Sequence, residues 1–174
     1  MPVGTGCHMR CLGVCTVMHR MSSPDHSACL APTRAAAIIP AWNEAATVGA
    51  VVYAAIDARL TDEVIVVDNA SSDATANVAA AHGARVVHEA TAGKGEAMRA
   101  GVAASDADVI VFLDADLVGL RAHHVDGLVA SVIAGDTDMA CGLFDRGPVA
   151  NPIFLEGLPV LSCHRSVEGR CRGL

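Results

Sequence analysis

Short apolar runs alternate along this chain with longer stretches whose apolar residues recur at helical spacing. The runs are typical of strands that are buried on both faces, because such strands present no polar side to water. They lie at Ala35–Ile39, Glu63–Val67, Arg85–His88, Val109–Leu113 and Met139–Leu143. Pro40 follows the first run and is predicted to close it, since proline has no backbone N–H to donate to a neighbouring strand.

The stretches between the runs predict four helices. In the first, the apolar residues from Val48 to Ile56 share one helical face, and Asn43 is the candidate N-cap. The others are predicted from Ser72 or Asp73 to about Ala81, from Gly95 to Ala104, and from about Val125 to Ile133. Strands that alternate with helices predict an α/β fold, in which a mostly parallel sheet has helices on both faces.

Polar residues gather where these predicted strands end. Parallel sheets bind ligands beyond the carboxyl ends of their strands, so one site at this edge accounts for all of these residues together. The alternative is that some of them only cap helices or stabilise turns, as Asn and Asp commonly do. The residues concerned are Asn43, Glu44, Asp68, Asn69, Lys94, Asp114 and Asp116.

Asp114 and Asp116 stand two residues apart at the end of the most apolar run. Side chains two apart on an extended strand face the same way, so the two carboxylates are expected to lie side by side. Two like charges in a partly buried place are unfavourable unless a positive group balances them. A divalent cation is the simplest candidate, because Mg²⁺ and similar ions prefer carboxylate and phosphate oxygens. The pair therefore predicts metal-assisted handling of a phosphate-bearing ligand.

Composition narrows the functional classes. The 174 residues carry a net charge of -7, which argues against a nucleic-acid surface, and 52% are hydrophobic, which is enough for the core of one domain. No apolar run approaches the ~20 residues that a membrane-spanning helix needs. The seven cysteines are odd in number and follow no clear secretory signal, so reduced thiols and a cytoplasmic location are expected.

Four segments, in this order, resemble the nucleotide-sugar-binding half of family 2-type glycosyltransferases, which have the Rossmann-like GT-A fold. The segments are Ile38–Glu44, Val66–Thr75, Gly93–Ala97 and Phe112–Asp116. The third, a Gly-Lys-Gly-Glu-Ala sequence that holds the chain's single lysine, particularly resembles the glucosyl-3-phosphoglycerate synthase branch. The resemblance implies the transfer of a sugar from a UDP- or GDP-sugar to an unidentified acceptor hydroxyl.

The resemblance also implies roles for individual residues. Asp114 and Asp116 match the family's DxD motif, in which one carboxylate meets the ribose or sugar and the other holds Mg²⁺ or Mn²⁺ on the diphosphate. Lys94 is expected to approach the nucleotide from its glycine-rich turn. The full set implied for donor binding is Pro40, Ala41, Glu44, Asp68, Asn69, Lys94 and Asp114, and the set implied for the metal is Asp116 and Asp114.

The chain departs from the family pattern at both ends. Residues 1–34 show no period and are predicted to be a disordered leader or the result of a start codon placed too early. Residues 35–147 are the expected nucleotide-sugar-binding half, and 148–174 the start of a truncated acceptor region. There, Leu161–Arg165 resembles a loop of the acceptor half, with His164 as a candidate third metal ligand, and Glu156 and Glu168 are weak candidates for a general base.

Two further functional classes remain open from the sequence. One is a nucleotide-sugar-binding fragment that performs no turnover. The other is a haloacid-dehalogenase-like phosphatase, because Asp114–Val118 also fits the motif that supplies an aspartate nucleophile in that class, although no lysine follows it. A Rossmann dehydrogenase is excluded, because the turn at Pro40–Asn43 is not glycine-rich.

Overall fold

The computed structural model describes residues 33–142 and, for its backbone, the strand at 161–165. Six strands alternate for the most part with four helices, as the apolar pattern predicts. The strands are β1 (Ala35–Ala41), β2 (Glu63–Asp68), β3 (Arg85–His88), β4 (Val109–Phe112), β5 (Met139–Gly142) and β6 (Leu161–Arg165). The helices are α1 (Val48–Ile56), α2 (Thr75–Ala81), α3 (Lys94–Ala103) and α4 (Ala122–Ile133).

The strands form a single sheet in the order β3-β2-β1-β4-β6-β5. The first four of these are parallel to one another, whereas β6 runs antiparallel to both β4 and β5. The predicted α/β fold with a mostly parallel sheet is therefore confirmed. Because β1 lies in the middle of the parallel part, it pairs on both sides and is almost completely buried.

Helices cover both faces of the sheet, because alternate residues of β1 point into two separate apolar clusters. Ala37 and Ile39 pack with the buried faces of α1 and α4, whereas Ile38 packs on the other side with Ala97 of α3. Small residues let α3 come close to the sheet. A Cβ atom added to Gly101 would lie 2.4 Å from Cγ2 of Ile38, so this contact requires glycine.

The prediction that Pro40 ends the first strand was wrong. β1 continues to Ala41, and Pro40 pairs in register with Val67 of β2. On the other side of β1, the ladder with β4 stops at Ile38, which is opposite Phe112. Pro40 lies beyond that ladder. No carbonyl of β4 therefore loses a hydrogen bond because proline lacks an N–H.

The predicted cap of the first helix was also wrong. Helix α1 begins at Val48 with Thr47 as its N-cap, and Asn43 lies outside it in a left-handed conformation with φ of 56°. The side-chain oxygen of Asn43 accepts the N–H of Ser72 at 2.8 Å instead. Asn43 therefore joins the loops that follow β1 and β2 and does not cap the helix.

The segment Leu161–Arg165 is strand β6 and not the acceptor loop that the sequence predicted. Its register places His164 opposite Ile110 and Ser162 opposite Phe112. Ile110 precedes Asp114 by four residues, which is roughly 13 Å along a strand. His164 is therefore displaced from Asp114 by about that distance in the strand direction. This register does not support His164 as a third ligand beside Asp114 and Asp116.

Some predictions lie outside the described residues. These are most of the predicted leader (1–32), Leu143, most of the predicted acceptor region, and the base candidates Glu156 and Glu168. The division of the chain into a leader, a donor half and an acceptor region stays a prediction. No helix among the described residues has the length and apolar character that crossing a bilayer requires.

Candidate functional site

The carboxyl ends of the first three strands lie in one row at the edge of the sheet. Ala41, Asp68 and His88 are in register with one another across β1, β2 and β3. Two further hydrogen bonds extend this row, from the N–H of Asn69 to the carbonyl of Ala41 and from the N–H of Glu89 to the carbonyl of Asp68. The loops that follow these strands therefore start side by side, where the sequence predicted a ligand site.

The loops after β1 and β2 are locked together by hydrogen bonds between side chains and backbone. The N–H of Asn43 donates to the hydroxyl oxygen of Ser71 at 3.0 Å, and the N–H of Glu44 donates to that of Thr75 at 2.8 Å. The N–H of Ala45 donates to a carboxylate oxygen of Asp73 at 3.1 Å. These bonds fix the backbone that carries Glu44, a predicted donor-binding residue.

Asp73 is held in its ionised form by this network. The Thr75 hydroxyl donates to its carboxylate and is the main cause that lowers the Asp73 pKa from its ordinary value. The backbone N–H groups of Thr75 and Ala45 act in the same direction. Asp73 therefore serves as an acceptor for the two loops, and α2 begins after it at Thr75 rather than at the predicted Ser72 or Asp73.

Asp68 is buried at the end of β2, and both of its carboxylate oxygens have partners. One oxygen accepts the N–H of Ser71 at 3.2 Å, and the other lies 3.1 Å from Nδ1 of His88. The His88 ring itself is largely exposed on the edge strand. Sequence reasoning missed His88, and its position at the end of a predicted strand was the available signal.

Asn69 is buried beside Asp68, and its side chain faces the loop that follows β3. Its amide nitrogen donates to the carbonyls of Glu89 and Thr91 at 3.1 and 2.7 Å. Its amide oxygen accepts the N–H of Gly93 at 2.7 Å. The structure thus ties Asn69 to the segment that leads directly into α3.

Lys94 and Asp114 form an ion pair at the start of α3. Nζ of Lys94 lies 2.5 Å from Oδ1 of Asp114, and the two side chains are 63% and 19% exposed. Gly93, just before the helix, has a φ of 144°, a backbone conformation that residues other than glycine rarely adopt. The sequence predicted that a positive group balances this carboxylate, and here Lys94 contributes that charge.

Asp116 is exposed and lies in a turn. It comes four residues after Phe112, the last residue of β4. The expectation that Asp114 and Asp116 share one face of an extended strand is therefore wrong, since both come after the strand. Among the described residues there is no cluster of three or more His, Cys, Asp or Glu side chains that would hold a metal. Two carboxylates are nevertheless hard oxygen donors, and this chemistry fits Mg²⁺ or Mn²⁺ when a ligand's phosphates and water supply the other oxygens.

Trp42 is a further residue at this edge that sequence reasoning passed over. It follows Ala41, the last residue of β1, and its side chain is 65% exposed. Its exposed indole therefore lies beside the candidate site, whereas the large apolar residues within β1, β2 and β4 are mostly buried. Since it is the only tryptophan of the chain, it also reports on binding at this edge through its fluorescence.

Comparison with known proteins identifies the family of this chain and relatives with the same fold. The family model described as Glycosyl transferase family 2 matches residues 36–155. Glucosyl-3-phosphoglycerate synthase of Mycobacterium tuberculosis is 36% identical over 122 residues, which cover 64% of this chain and 38% of that protein. An uncharacterised glycosyltransferase of Mycobacterium bovis is 42% identical over 113 residues, which cover 65% of this chain and 49% of that protein. The chain thus spans less than half the length of these relatives.

Solved structures of glucosyl-3-phosphoglycerate synthase from Mycobacterium tuberculosis share the fold. One, in complex with Mn²⁺, UDP and phosphoglyceric acid, has a TM-score of 0.67 and 28% identity, over 76% of this chain and 56% of that one. Another, with Mn²⁺ and UDP-glucose, has a TM-score of 0.56 and 35% identity, over 60% of this chain and 40% of that one. These similarities confirm the predicted resemblance and the GT-A type of sheet.

Proposed function

The chain belongs to Glycosyl transferase family 2, and we propose that it binds a nucleotide-diphosphate sugar at the carboxyl edge of its sheet and transfers the sugar to an acceptor hydroxyl. The donor class that we infer is a UDP-sugar, because similar solved proteins hold UDP or UDP-glucose. GDP-sugars are the second donor class to test. The family match argues against the phosphatase alternative, since the Asp114–Val118 segment lies inside it. A cytoplasmic location stays a prediction from the sequence.

One observation carries this proposal, namely the ion pair between Lys94 and Asp114. It joins the start of α3 to the loop after β4, and so brings the chain's single lysine to the first carboxylate of the predicted metal pair. A nucleotide diphosphate with a bound cation presents both charges to a protein. A cation and a carboxylate side by side are complementary to such a ligand.

Asp114 and Asp116 are the residues that would hold Mg²⁺ or Mn²⁺, the ions found in the complexes of similar proteins. When bound, such an ion acts as a Lewis acid that stabilises negative charge on the departing diphosphate. Lys94 would contribute a further positive charge to the phosphates. The carboxyl ends of β1 and β2 and the loop after β1 are proposed for the nucleoside side, where the residues are Pro40, Ala41, Glu44 and Asp68. Asn69 adjoins them, but its amide is bonded to the loop at 89–93.

In the transfer, the acceptor oxygen forms a bond to the anomeric carbon of the sugar. The bond between that carbon and the diphosphate oxygen breaks, the nucleoside diphosphate leaves, and the proton of the acceptor hydroxyl passes to the departing diphosphate or to water. The acceptor to test first is phosphoglyceric acid, because solved complexes of a similar protein contain it. Because this chain matches only part of such proteins, turnover and acceptor are tested separately from donor binding.

Donor binding is tested on the full chain with UDP, in Mn²⁺ and in a metal chelator, by calorimetry and by Trp42 fluorescence. We expect Mn²⁺ to raise the UDP affinity of the wild type and Asp116→Asn to remove that increase. The matched control is Asp57→Asn, which alters an exposed carboxylate at the end of α1, toward the opposite edge of the sheet. A Mn²⁺-dependent affinity that survives in Asp116→Asn would contradict the metal assignment.

Turnover is tested with UDP-glucose and phosphoglyceric acid, by measuring UDP release and the mass of the product. Glucosylated phosphoglyceric acid would support the transferase reaction. UDP binding without turnover on a panel of UDP- and GDP-sugars and acceptors would instead support the non-catalytic nucleotide-sugar-binding fragment. A wild-type chain that binds neither UDP nor GDP would overturn the proposed site.

A further inference from the structure

We propose that Asn69 is a positioning residue whose side-chain amide orders the loop at 89–93 and thereby sets Lys94 against Asp114. The sequence resemblance implied a different role, in which Asn69 meets the base or ribose of the donor directly. Asn69 has this positioning role in the protein without ligand. Its consequence for nucleotide affinity rests on the proposed function.

The hydrogen-bonding groups of the Asn69 amide are engaged with this one loop. The nitrogen donates to the carbonyls of Glu89 and Thr91, and the oxygen accepts the N–H of Gly93. A carbonyl can only accept and an N–H can only donate, so these partners fix the orientation of the amide. Asn69 is only 6% exposed, so water cannot readily replace these bonds.

Among the bonds of the described residues, only the start of the 89–93 loop has another bond to the sheet, from the N–H of Glu89 to the carbonyl of Asp68. Thr91, Gly93 and Lys94 are all exposed, and the N–H of Thr91 bonds locally to the carboxylate of Glu89. That local bond shapes the loop but does not attach it to the sheet. The amide of Asn69, which directly follows β2, makes that attachment at three points of the loop.

The loop leads directly to the lysine of the ion pair. Gly93 is bonded to Asn69 through its N–H and precedes Lys94, the first residue of α3. The Lys94 side chain is mostly in solvent, so its direction depends on the backbone from which it starts rather than on packing. A loop held by Asn69 aims Nζ at Asp114, and a released loop lets the exposed lysine sample other directions.

Asn69→Asp is the most informative substitution. Aspartate has nearly the same shape and keeps an oxygen for the Gly93 N–H, but it has no N–H to give the two carbonyls. It also places a negative charge beside their oxygens. Asn77→Asp is the matched control, because Asn77 is exposed on α2 and its substitution changes the net charge by the same amount.

The first experiment needs no ligand and uses the fact that Lys94 is the only lysine. The acylation rate of Lys94 by an amine-reactive ester is measured by peptide mass spectrometry, with amide hydrogen exchange of the 89–97 segment. Asp114→Asn, which removes the partner carboxylate, marks the rate for an unpaired lysine. We expect Asn69→Asp to raise both the acylation rate and the exchange several-fold, and Asn77→Asp to leave both at the wild-type level.

If Asn69→Asp reacts and exchanges like the wild type, the positioning role is overturned. Circular dichroism and a thermal melt check that the variant folds. If Asn69→Asp fails to fold, Asn69→Ser is measured in the same way, since it removes the amide nitrogen and leaves a small polar group. A folded serine variant with wild-type reactivity at Lys94 overturns the proposal equally.

The second experiment separates positioning from direct contact with the nucleotide. UDP affinity in Mn²⁺ is measured for Asn69→Asp, Lys94→Ala and the double variant, each against the wild type. If Asn69 acts through Lys94, Asn69→Asp weakens binding about tenfold alone but adds little to Lys94→Ala. Additive losses would overturn the positioning role and favour a direct contact. A wild type that binds neither UDP nor GDP contradicts the proposed function, whereas the ligand-free experiment still decides the role of Asn69.

Discussion

Nζ of Lys94 donates to Oδ1 of Asp114 across 2.5 Å, so the chain's single lysine neutralises the first carboxylate of the predicted metal pair. Lys94 is the first residue of α3, which follows β3 and packs across β1 and β2, whereas Asp114 lies in the loop after β4. A bound diphosphate with its cation would compete with both members of the pair. The ion pair therefore keeps the two charges of the candidate site together before a ligand arrives.

Replacing Lys94 should weaken donor binding without unfolding the protein. An exposed ion pair contributes about 0–1 kcal/mol to stability, whereas loss of a phosphate contact raises the dissociation constant for UDP. We expect Lys94→Ala to lower UDP affinity about tenfold and to leave the free energy of unfolding within about 1 kcal/mol of the wild type. Arg99→Ala, an exposed cation on the same helix, should change neither the affinity nor the melting temperature appreciably. A Lys94→Ala protein that melts far below the wild type would indicate a structural role instead.

Gly101 should not tolerate a methyl group. A Cβ at this position would lie 2.4 Å from Cγ2 of Ile38 and 3.1 Å from Cγ2 of Val67, inside the contact between α3 and the sheet. We expect Gly101→Ala to lower the free energy of unfolding by about 1–3 kcal/mol, measured by denaturant titration. Gly95→Ala is the control on the same helix, because its Cβ would meet nothing within 4 Å. Equal stabilities of the two variants would show that α3 can move away from the sheet at little cost.

The Thr75 hydroxyl should contribute to the lock between the first two loops. Thr75 is fully buried, accepts the N–H of Glu44 at 2.8 Å and donates to Asp73. Thr75→Val keeps the shape but leaves these two partners without the hydroxyl, so we expect a loss of about 1–3 kcal/mol in thermal or denaturant unfolding. Thr75→Ser keeps the hydroxyl and should retain most of this stability. If the serine variant is no more stable than the valine variant, the methyl group matters and the hydroxyl does not.

His124 should make the protein less stable in mild acid. It is buried at the start of α4, where its Nδ1 accepts the N–H of Arg121 at 3.1 Å. Burial is the main cause that lowers the His124 pKa below its ordinary value, and the charges of His123 and Arg121 act in the same direction. Below a pH of about 6.5 the unfolded chain takes up this proton more readily than the folded one, so stability falls as the pH drops from there through the lowered folded-state pKa.

The measurement is the melting temperature as a function of pH, from above neutrality down to about pH 5. His124→Asn keeps an acceptor for the Arg121 N–H but cannot be protonated, so its melting temperature should depend less steeply on pH than that of the wild type. The neighbouring His123 is exposed, and His123→Asn should retain most of the wild-type dependence. A His124→Asn variant with the full wild-type slope would show that other groups cause the acid sensitivity.

The apolar pattern was enough to predict most of the elements, because buried parallel strands and amphipathic helices leave different periods in a sequence. The pattern was less reliable for polar residues that can form hydrogen bonds with more than one partner. Asn43 has the residue type of a helix cap, but Ser71 and Ser72 of another loop bind it, and sequence spacing cannot reveal such partners. Pro40 has the residue type of a strand end, but the shortness of the β1–β4 ladder lets it stay in the strand.

For the candidate site, the sequence by itself determined which residues carry the charge, their family resemblance and their positions at the ends of strands. The tertiary structure alone decided how these residues are paired. It showed that Lys94 contacts Asp114, that Asn69 faces the loop before Lys94, and that Asp114 and Asp116 lie beyond β4. The physical reason is that strand order and register set the distances between loops, and these arise from packing across the whole sheet rather than from any local sequence.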